Sequence, residues 1–367
     1  MQQSPSVSTR LTGLVRRAIE RDGGWLAFDR FMALALYAPG LGYYSGNKRV
    51  FGTLPVSGSD FVTAPELSPL FGQALARQVV QALDASGSDE VWEFGAGSGA
   101  LAAQLLGALG DKVRRYSIVD LSGSLRERQQ TRLAAFAHKL RWADVLPDTM
   151  QGVIVGNEVL DAMPVQLLHF DGTQWFERGV VDSGEGLAWR DQPTHLRPPF
   201  AGAFTPGTVT EIHPQAEAFI TTLAERLTRG AAFFIDYGFP EAEYYHPQRS
   251  GGTLMCHRAH RADTDPLVDL GHKDITAHVN FSAIALAAQN AGMDVLGYTS
   301  QAHFLMNCGV VDLLQGADIR TIANTQKLLT EHEMGELFKV IGFAKGCAVA
   351  LSEAPLGFAR GDRTHTL

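Results

Sequence analysis

Hydrophobic positions change their spacing along this 367-residue chain, and the change divides it. Leu11, Leu14, Val15, Ala18 and Ile19 recur at helical spacing and lead into "WLAFDRFMALALY". They predict one or two amphipathic helices over residues 8–36, broken at Gly23-Gly24. A long stretch rich in Gly, Pro, Ser and aromatics follows, the composition of a binding loop or lid. Ser68-Pro69 then reads as a cap plus first-turn proline, opening a helix through Leu83.

From Asp89 onward, short apolar runs alternate with helical stretches. "EVWEF", "RYSIVD", "KLRWAD" and "GVIVGN" read as strands, "GALAAQLLGAL" and "GSLRERQQTRLAAFA" as helices. This alternation predicts an α/β protein with a doubly wound parallel sheet, whose ligands bind at the carboxyl ends of the strands. After Pro164 the pattern alternates around Asp171-Gly172 and Gly184-Glu185-Gly186, signalling antiparallel hairpins. "QAEAFITTLAERLTRG" returns to helix and "AAFFIDYG" to a buried strand. "GMDVLGYTS" and "LFKVIGFAKG" read as the last two strands, with a helical stretch over 310–329 between them. The expected organisation is an N-terminal helical lid region (1–87), the ligand-binding half of the core (88–164) and an antiparallel β insertion (165–205). The second half of the core (206–352) carries a substrate-side loop (237–281), and a disordered tail (353–367) ends the chain.

Composition narrows the classes. Apolar content of 45% suits a globular core, and a net charge of −8 argues against nucleic acid as a partner. No apolar run is long enough to span a bilayer. Cys256, Cys308 and Cys347 are too far apart to form a metal site and read as reduced thiols. "CHRAHRADTDPLVDLGHKDITAH" is rich in histidine but fits no zinc spacing, so no metal is expected. The Arg- and Ser-bearing N-terminus resembles a transit peptide, yet its helical period runs straight into the next element. A cytoplasmic protein is therefore expected in preference to one of the mitochondrial matrix. Oligomeric state is not legible.

The chemistry-bearing segment is "EFGAGSGALA". Gly95, Gly97 and Gly99 allow a tight turn after a strand and close backbone approach to a ligand, with a helix N-terminus aimed at it. Gly95-x-Gly97-x-x-Ala100 also satisfies the dinucleotide pattern. Two features favour a methyl donor. Glu93 would repel a pyrophosphate but suits the cationic amino-acid end of S-adenosylmethionine, and Gly99 extends the pattern to E-x-G-x-G-x-G. Asp120 ends the next strand, where ribose hydroxyls are bound in either case. Asp144, after the third strand, suits an adenine amino group. Ala96, Ser98, Leu121 and Val145 complete this cofactor set.

Eight segments, in order, carry a resemblance: "GYYS", "GSDFVTAPELSPLFGQALA", "EFGAGSGALA", "GNEVLDAMPV", "IDYGFPEAEYYHPQRSGGTL", "DITAHVNFSAI", "HFLMNCG" and "MGELFKVIGF". From Leu11 to Ala348 the chain is similar to the MidA-like family of S-adenosylmethionine-dependent methyltransferases, which includes the mitochondrial complex I assembly factor. The resemblance implies a class I methyltransferase fold with an antiparallel last strand, S-adenosyl-L-methionine as cofactor, and a protein arginine as acceptor, on a respiratory complex I subunit or its bacterial counterpart. Asn280 departs from it, standing where an acid is expected, and "LPVSG" precedes Ser59-Asp60 where a Gly-Asp pair is usual.

"GNEVLDAMP" follows the fourth strand, placing Asn157, Glu158 and Asp161 where the methyl group must be. Two carboxylates can grip a guanidinium bidentately, and Glu158 and Asp161 are expected to do so, with Asn157 beside both cofactor and acceptor. Asp60, Phe61, Thr63 and Glu66 are expected to close over the cofactor or peptide. His213, Asp236 and Tyr237 are expected on the substrate side. His260 and His278, with Asp265 and Asp274, match family positions that would order a loop near the acceptor. The rival readings are a methyltransferase for small-molecule nitrogen or oxygen acceptors, and an assembly chaperone that binds the donor without catalysis.

Overall fold

The structure is a computed structural model that describes residues 6–46, 63–120, 123–258, 261–347, 351 and 355–367. Asp60, Phe61, Leu121 and His260 lie outside the described residues.

The chain opens with α1 (Val7–Arg21), a two-residue strand β1 (Leu26–Ala27) and α2 (Phe28–Tyr37). The short α3 (Ala64–Leu67) precedes α4 (Pro69–Ser86), which is capped by the Ser68 hydroxyl and ended by left-handed Gly87. The core then alternates: β2 (Glu90–Phe94), α5 (Ala100–Leu109), β3 (Arg115–Val119), α6 (Gly123–Arg132), β4 (Leu140–Trp142) and β5 (Met150–Asn157). An insertion of β6 (Gln166–Phe170), β7 (Trp175–Asp182), β8 (Leu187–Pro193) and β9 (Val209–Ile212) follows. The core resumes with α7 (Pro214–Arg226) and β10 (Leu227–Phe239), then the short α8 (Glu241–Tyr244). β11 (Met255–Arg258), β12 (Arg261–Asp263) and β13 (Asp274–Thr276) form a separate small sheet. The chain finishes with β14 (Val279–Asn280), α9 (Phe281–Asn290), β15 (Asp294–Ser300), α10 (Gln301–Asn307), α11 (Val310–Leu313), α12 (Ile319–Leu329) and β16 (Phe338–Lys345).

The main sheet runs β15-β16-β10-β5-β2-β3-β4. Its five strands from β10 to β4 are parallel, and β16, last in sequence, lies antiparallel to both its neighbours. This is the doubly wound class I methyltransferase sheet with the reversed last strand. Its central strands β2, β5, β10 and β16 are buried on both faces, which explains their continuous apolar runs. Val91, Val153, Val155, Phe233 and Ile235 face the core packed with α4 and α5, while Trp92, Ile154 and Phe234 face the one packed with α7 and α9. A third core joins α1 and α2 to the insertion and the small sheet.

After β4 the chain returns to the far side of β2, so strand order reverses between β2 and β5. Loops leaving the two strands diverge there and open a crevice.

The tail differs from expectation. Residues 355–367 pack onto the sheet edge and are not disordered. Phe358 is buried, with its ring 5.5 Å from that of Phe304. Asp362 accepts from the Tyr298 amide (3.0 Å), and the Arg363 guanidinium forks onto Glu336. Asn280, in place of the expected acid, caps α9 by accepting from the Ala283 amide at 3.2 Å. An acid would serve that position in the same way.

Candidate active site

A cavity of about 440 Å³ occupies the crevice between β2 and β5. The glycine loop forms one end. Gly95, Gly97 and Gly99 adopt φ of 65°, 52° and 79°. A Cβ on Gly95 would come within 2.9 Å of Val159 Cγ2, so this glycine is required by the approach of the two loops as well as by its φ. Gly95, Ala96, Gly97 and Ser98 line the cavity with Thr63 and Glu93.

Glu93 is buried in β2 and accepts from the Tyr116 hydroxyl at 2.6 Å. Burial pushes its carboxyl up to about 8, against the pull of that hydrogen bond. Three side chains brace the loop from behind. Gln129, fully buried on α6, donates to Gly97 O (3.0 Å) and to Asp120 (2.9 Å), and accepts from the Trp142 indole (2.9 Å). Glu66 pairs with Arg132 (2.6 Å), and both bond the Ser98 hydroxyl. Burial opposes ionisation of Glu66, but its bonds to Arg132 and Ser98 prevail and hold its pKa below the usual value. Gln129 and Arg132 were not legible in the sequence, since α6 is polar nearly throughout and no period marks the inward pair.

The loop after β5 also lines the cavity. Asn157, Glu158 and Asp161 line it together with Tyr237. Glu158 has φ of +54°, unusual for a residue with a Cβ, and its amide donates to Ile235 O at 2.9 Å. One oxygen of Asp236 accepts from the amides of Val159, Leu160 and Asp161 at 3.1, 2.9 and 3.3 Å. Asp236 therefore does not line the cavity, and instead holds the turn that presents Glu158 and Asp161. Asn157 Nδ2 donates to Glu158 (2.9 Å), and the Tyr237 hydroxyl donates to one oxygen of Asp161. Burial raises Glu158 to about 8, with the Asp161 charge adding to it, and burial raises Asp161 to about 6 against the Tyr237 bond. Asn157 Oδ1 and Asp161 Oδ1 are buried without a hydrogen-bond partner among the described residues. Orphaned acceptors in a cavity wall are expected where a ligand supplies the donors.

The remaining residues divide. His278 lines the cavity, stacked on Phe239 (5.2 Å between rings) and edge-on to Tyr237 (5.1 Å). His213 does not reach it. That imidazole is buried against the Tyr244 hydroxyl (3.0 Å), in a network where Glu211 accepts from Tyr244 and from the amides of Thr253 and Leu254. Burial pushes both histidines down to about 4, so both are neutral near pH 7. Asp144 pairs with Arg126 at the surface and Val145 is exposed, so neither belongs to the cavity lining. Among the described residues, no group of three or more His, Cys, Asp or Glu could hold a metal ion, and no helix is long and apolar enough to cross a membrane.

Comparison with known proteins bears on this geometry. Residues 74–299, more than half of the chain, match a family described as "Putative S-adenosyl-L-methionine-dependent methyltransferase". A Burkholderia thailandensis protein described as a "likely methyl transferase", solved with S-adenosyl-homocysteine bound, is 51% identical over the whole of both chains with a TM-score of 0.92. Among curated proteins, "Protein arginine methyltransferase NDUFAF7 homolog, mitochondrial" of Caenorhabditis elegans is 26% identical over 79% of this chain and 74% of its own length. The mouse "Protein arginine methyltransferase NDUFAF7, mitochondrial" is 26% identical over 91% of this chain and 85% of its own.

Proposed function

This chain belongs to the family of S-adenosyl-L-methionine-dependent methyltransferases that its residues 74–299 match, and on that premise we propose that it methylates an arginine side chain of a protein. The observation that carries the reading is the pair of acids, half-buried Glu158 and buried Asp161, in the same cavity as the glycine loop. The arginine methyltransferase names of the curated relatives support it.

The cavity fits the cofactor: its volume lies in the range of small-molecule sites, and it offers an acid, a glycine loop and orphaned acceptors. When bound, S-adenosyl-L-methionine supplies a methyl group on a sulfonium centre. Glu93 would hold the cationic amino-acid end, the backbone of the Gly95 to Gly99 loop would pack against the cofactor, and Asp120, held by Gln129, would take the ribose hydroxyls. Thr63 and Asn157 complete the contacts. Glu158 and Asp161 grip the guanidinium and turn one nitrogen toward the methyl group, as bidentate carboxylate geometry allows. Methylation releases a proton from that nitrogen. Glu158, raised to about 8 in the empty site, would ionise as the cationic guanidinium enters and is then suited to take that proton.

The acceptor is a folded protein or a segment of one, and the family resemblance points to a respiratory complex I subunit or its bacterial counterpart. Three free, buried cysteines suit a reducing compartment, and we place the activity in the cytoplasm. The test is to incubate the protein with methyl-labelled donor and lysate from a deletion strain, then map the label by mass spectrometry. Label on an arginine nitrogen is the expected result. Label on another acceptor would refute arginine, and an unlabelled captured partner would favour the chaperone reading.

A further inference from the structure

The small sheet lends Met255 and Asp274 to the cavity lining, and the turn leading into β16 lends an apolar lip. That lip is Met334, Leu337 and the first residue of the strand, Phe338. Phe338 is buried and Met334 half-buried, but Leu337 is 54% exposed. Leu337 thus lines the cavity and meets solvent, so the lip borders the mouth. Sheet register fixes its position. Phe338 lies opposite Tyr237 of β10, and β10 pairs with β5, the strand that ends at Asn157. The lip therefore stands beyond β5 on the side away from β2 and its glycine loop, two strand spacings or about 10 Å from β5. An aromatic path joins it to the acids. The Phe338 ring meets Tyr237 edge-on at 5.4 Å, and the Tyr237 hydroxyl donates to Asp161.

The backbone of the lip is pinned on both sides of Leu337. Glu336 accepts from the Arg363 guanidinium through both oxygens and pairs with the buried Lys339 ammonium at 3.3 Å. Lys339 also donates to Glu336 O. Arg363 is itself anchored, its amide donating to Tyr298 O of β15 at 2.6 Å. Gly335 packs against the end of α12 so closely that a Cβ there would come within 2.5 Å of Leu329 O, and its amide donates to Thr330 O at 3.0 Å. An exposed leucine alone needs no explanation. One held at the mouth of a cavity, on a backbone fixed by two ion pairs and a close-packed glycine, presents a contact surface.

We infer that Met334 and Leu337 are the docking surface for the acceptor segment, and that they select one carrying an apolar side chain within two residues of the arginine to be methylated. The inference rests on the arginine reading above and deepens it by naming a second feature of the substrate. The occupant follows from position. A protein arginine that reaches Glu158 and Asp161 brings its own chain to the mouth of the cavity. An extended chain spans about 3.3–3.6 Å per residue, so a neighbour one or two positions away reaches a lip about 10 Å from β5. Leu337 offers that neighbour a fixed apolar face, and Met334, unbranched and polarizable, adapts to its shape. The same turn carries Glu331 and Glu333 at the surface, whose charge favours the approach of an arginine-bearing segment.

The test uses the full chain saturated with S-adenosyl-homocysteine and measures, by NMR titration, binding of three acetylated pentapeptide amides with a central arginine. One has two leucines before the arginine and two serines after it, the second has the reverse, and the third has serine at all four positions. One of the leucine peptides is expected to bind about fivefold more tightly than the all-serine peptide, as covering a half-exposed leucine predicts. Leu337→Ser is expected to lose most of that preference, and its affinity for S-adenosyl-homocysteine reports whether it is folded. Should that affinity be lost, Met334→Ser carries the test and is expected to reduce the preference. Leucine peptides that bind no better than the all-serine peptide, or a preference kept by the variant that carries the test, overturn this inference alone. The tightest peptide is then remade with citrulline in place of arginine. Equal binding of the two overturns the arginine reading and this inference with it.

Discussion

Gly95→Ala isolates what the glycine loop contributes. The substitution has two separate costs. At φ of +65° an alanine is strained by about 1–2 kcal/mol. Its Cβ also meets Val159 Cγ2 at 2.9 Å. Val159 is β-branched and its amide is held by Asp236, so it retreats only with the turn that carries Glu158. Overpacking of this kind costs about 1–3 kcal/mol. Together the costs come to about 2–5 kcal/mol. If the loop keeps its shape, the cost appears as lost stability; if it shifts, it appears as lost affinity. Denaturant unfolding and calorimetric titration with S-adenosyl-homocysteine are therefore measured together, and their losses summed. Adding Val159→Ala should restore the steric part and leave the backbone part, about a five- to thirtyfold effect. Gly95→Ala that matches wild type in both measurements, or a double variant that recovers nothing, would show that Gly95 is not required at this turn.

Three further outcomes follow from the structure. Glu93 and Glu158 both have raised pKa values in the folded protein, about 8 against 4.5. The native state thus holds protons that the unfolded chain has released, and stability of the cofactor-free protein falls as pH rises from about 4.5 through 8. Melting curves across that range should show the fall, and Glu93→Gln should flatten it by on the order of 1 kcal/mol per pH unit. Phe358→Ala should cost about 3–5 kcal/mol in denaturant unfolding, whereas a tail without packing would lose nothing. Gln129→Ala leaves Gly97 O and the Trp142 indole without their partner. It should weaken S-adenosyl-homocysteine binding about tenfold, and an unchanged affinity would remove Gln129 from the loop's support.

Much of this was legible in the sequence, for reasons that differ by element. The core strands announced themselves because burial on both faces demands unbroken apolar runs such as "GVIVGN". The glycine loop was legible because left-handed backbone beside a ligand leaves few residue types to choose from. Asn157, Glu158 and Asp161 were legible as cavity residues because Asn157 ends a core strand and the two acids directly follow it.

The supports were not. Asp236 lies near the end of a core strand as a ligand-facing acid would, and only the third dimension shows it accepting three amides. His213 reads as a site histidine, yet its environment is set by Tyr244 and Glu211, far apart in sequence. The small sheet that presents Asp274 is made of strands of three and four residues, too short to show a period. The tail carries few apolar residues, and it is ordered by contacts with β15, α10 and Glu336 that local sequence does not encode.

The proposed function requires that one cavity bind the methyl donor and, through Glu158, activate the acceptor. It is tested most directly by Glu158→Gln, with turnover measured at saturating donor alongside affinity for S-adenosyl-homocysteine. Turnover reduced by about a hundredfold or more with affinity unchanged is the predicted result. Turnover equal to wild type, with that affinity intact, would contradict it.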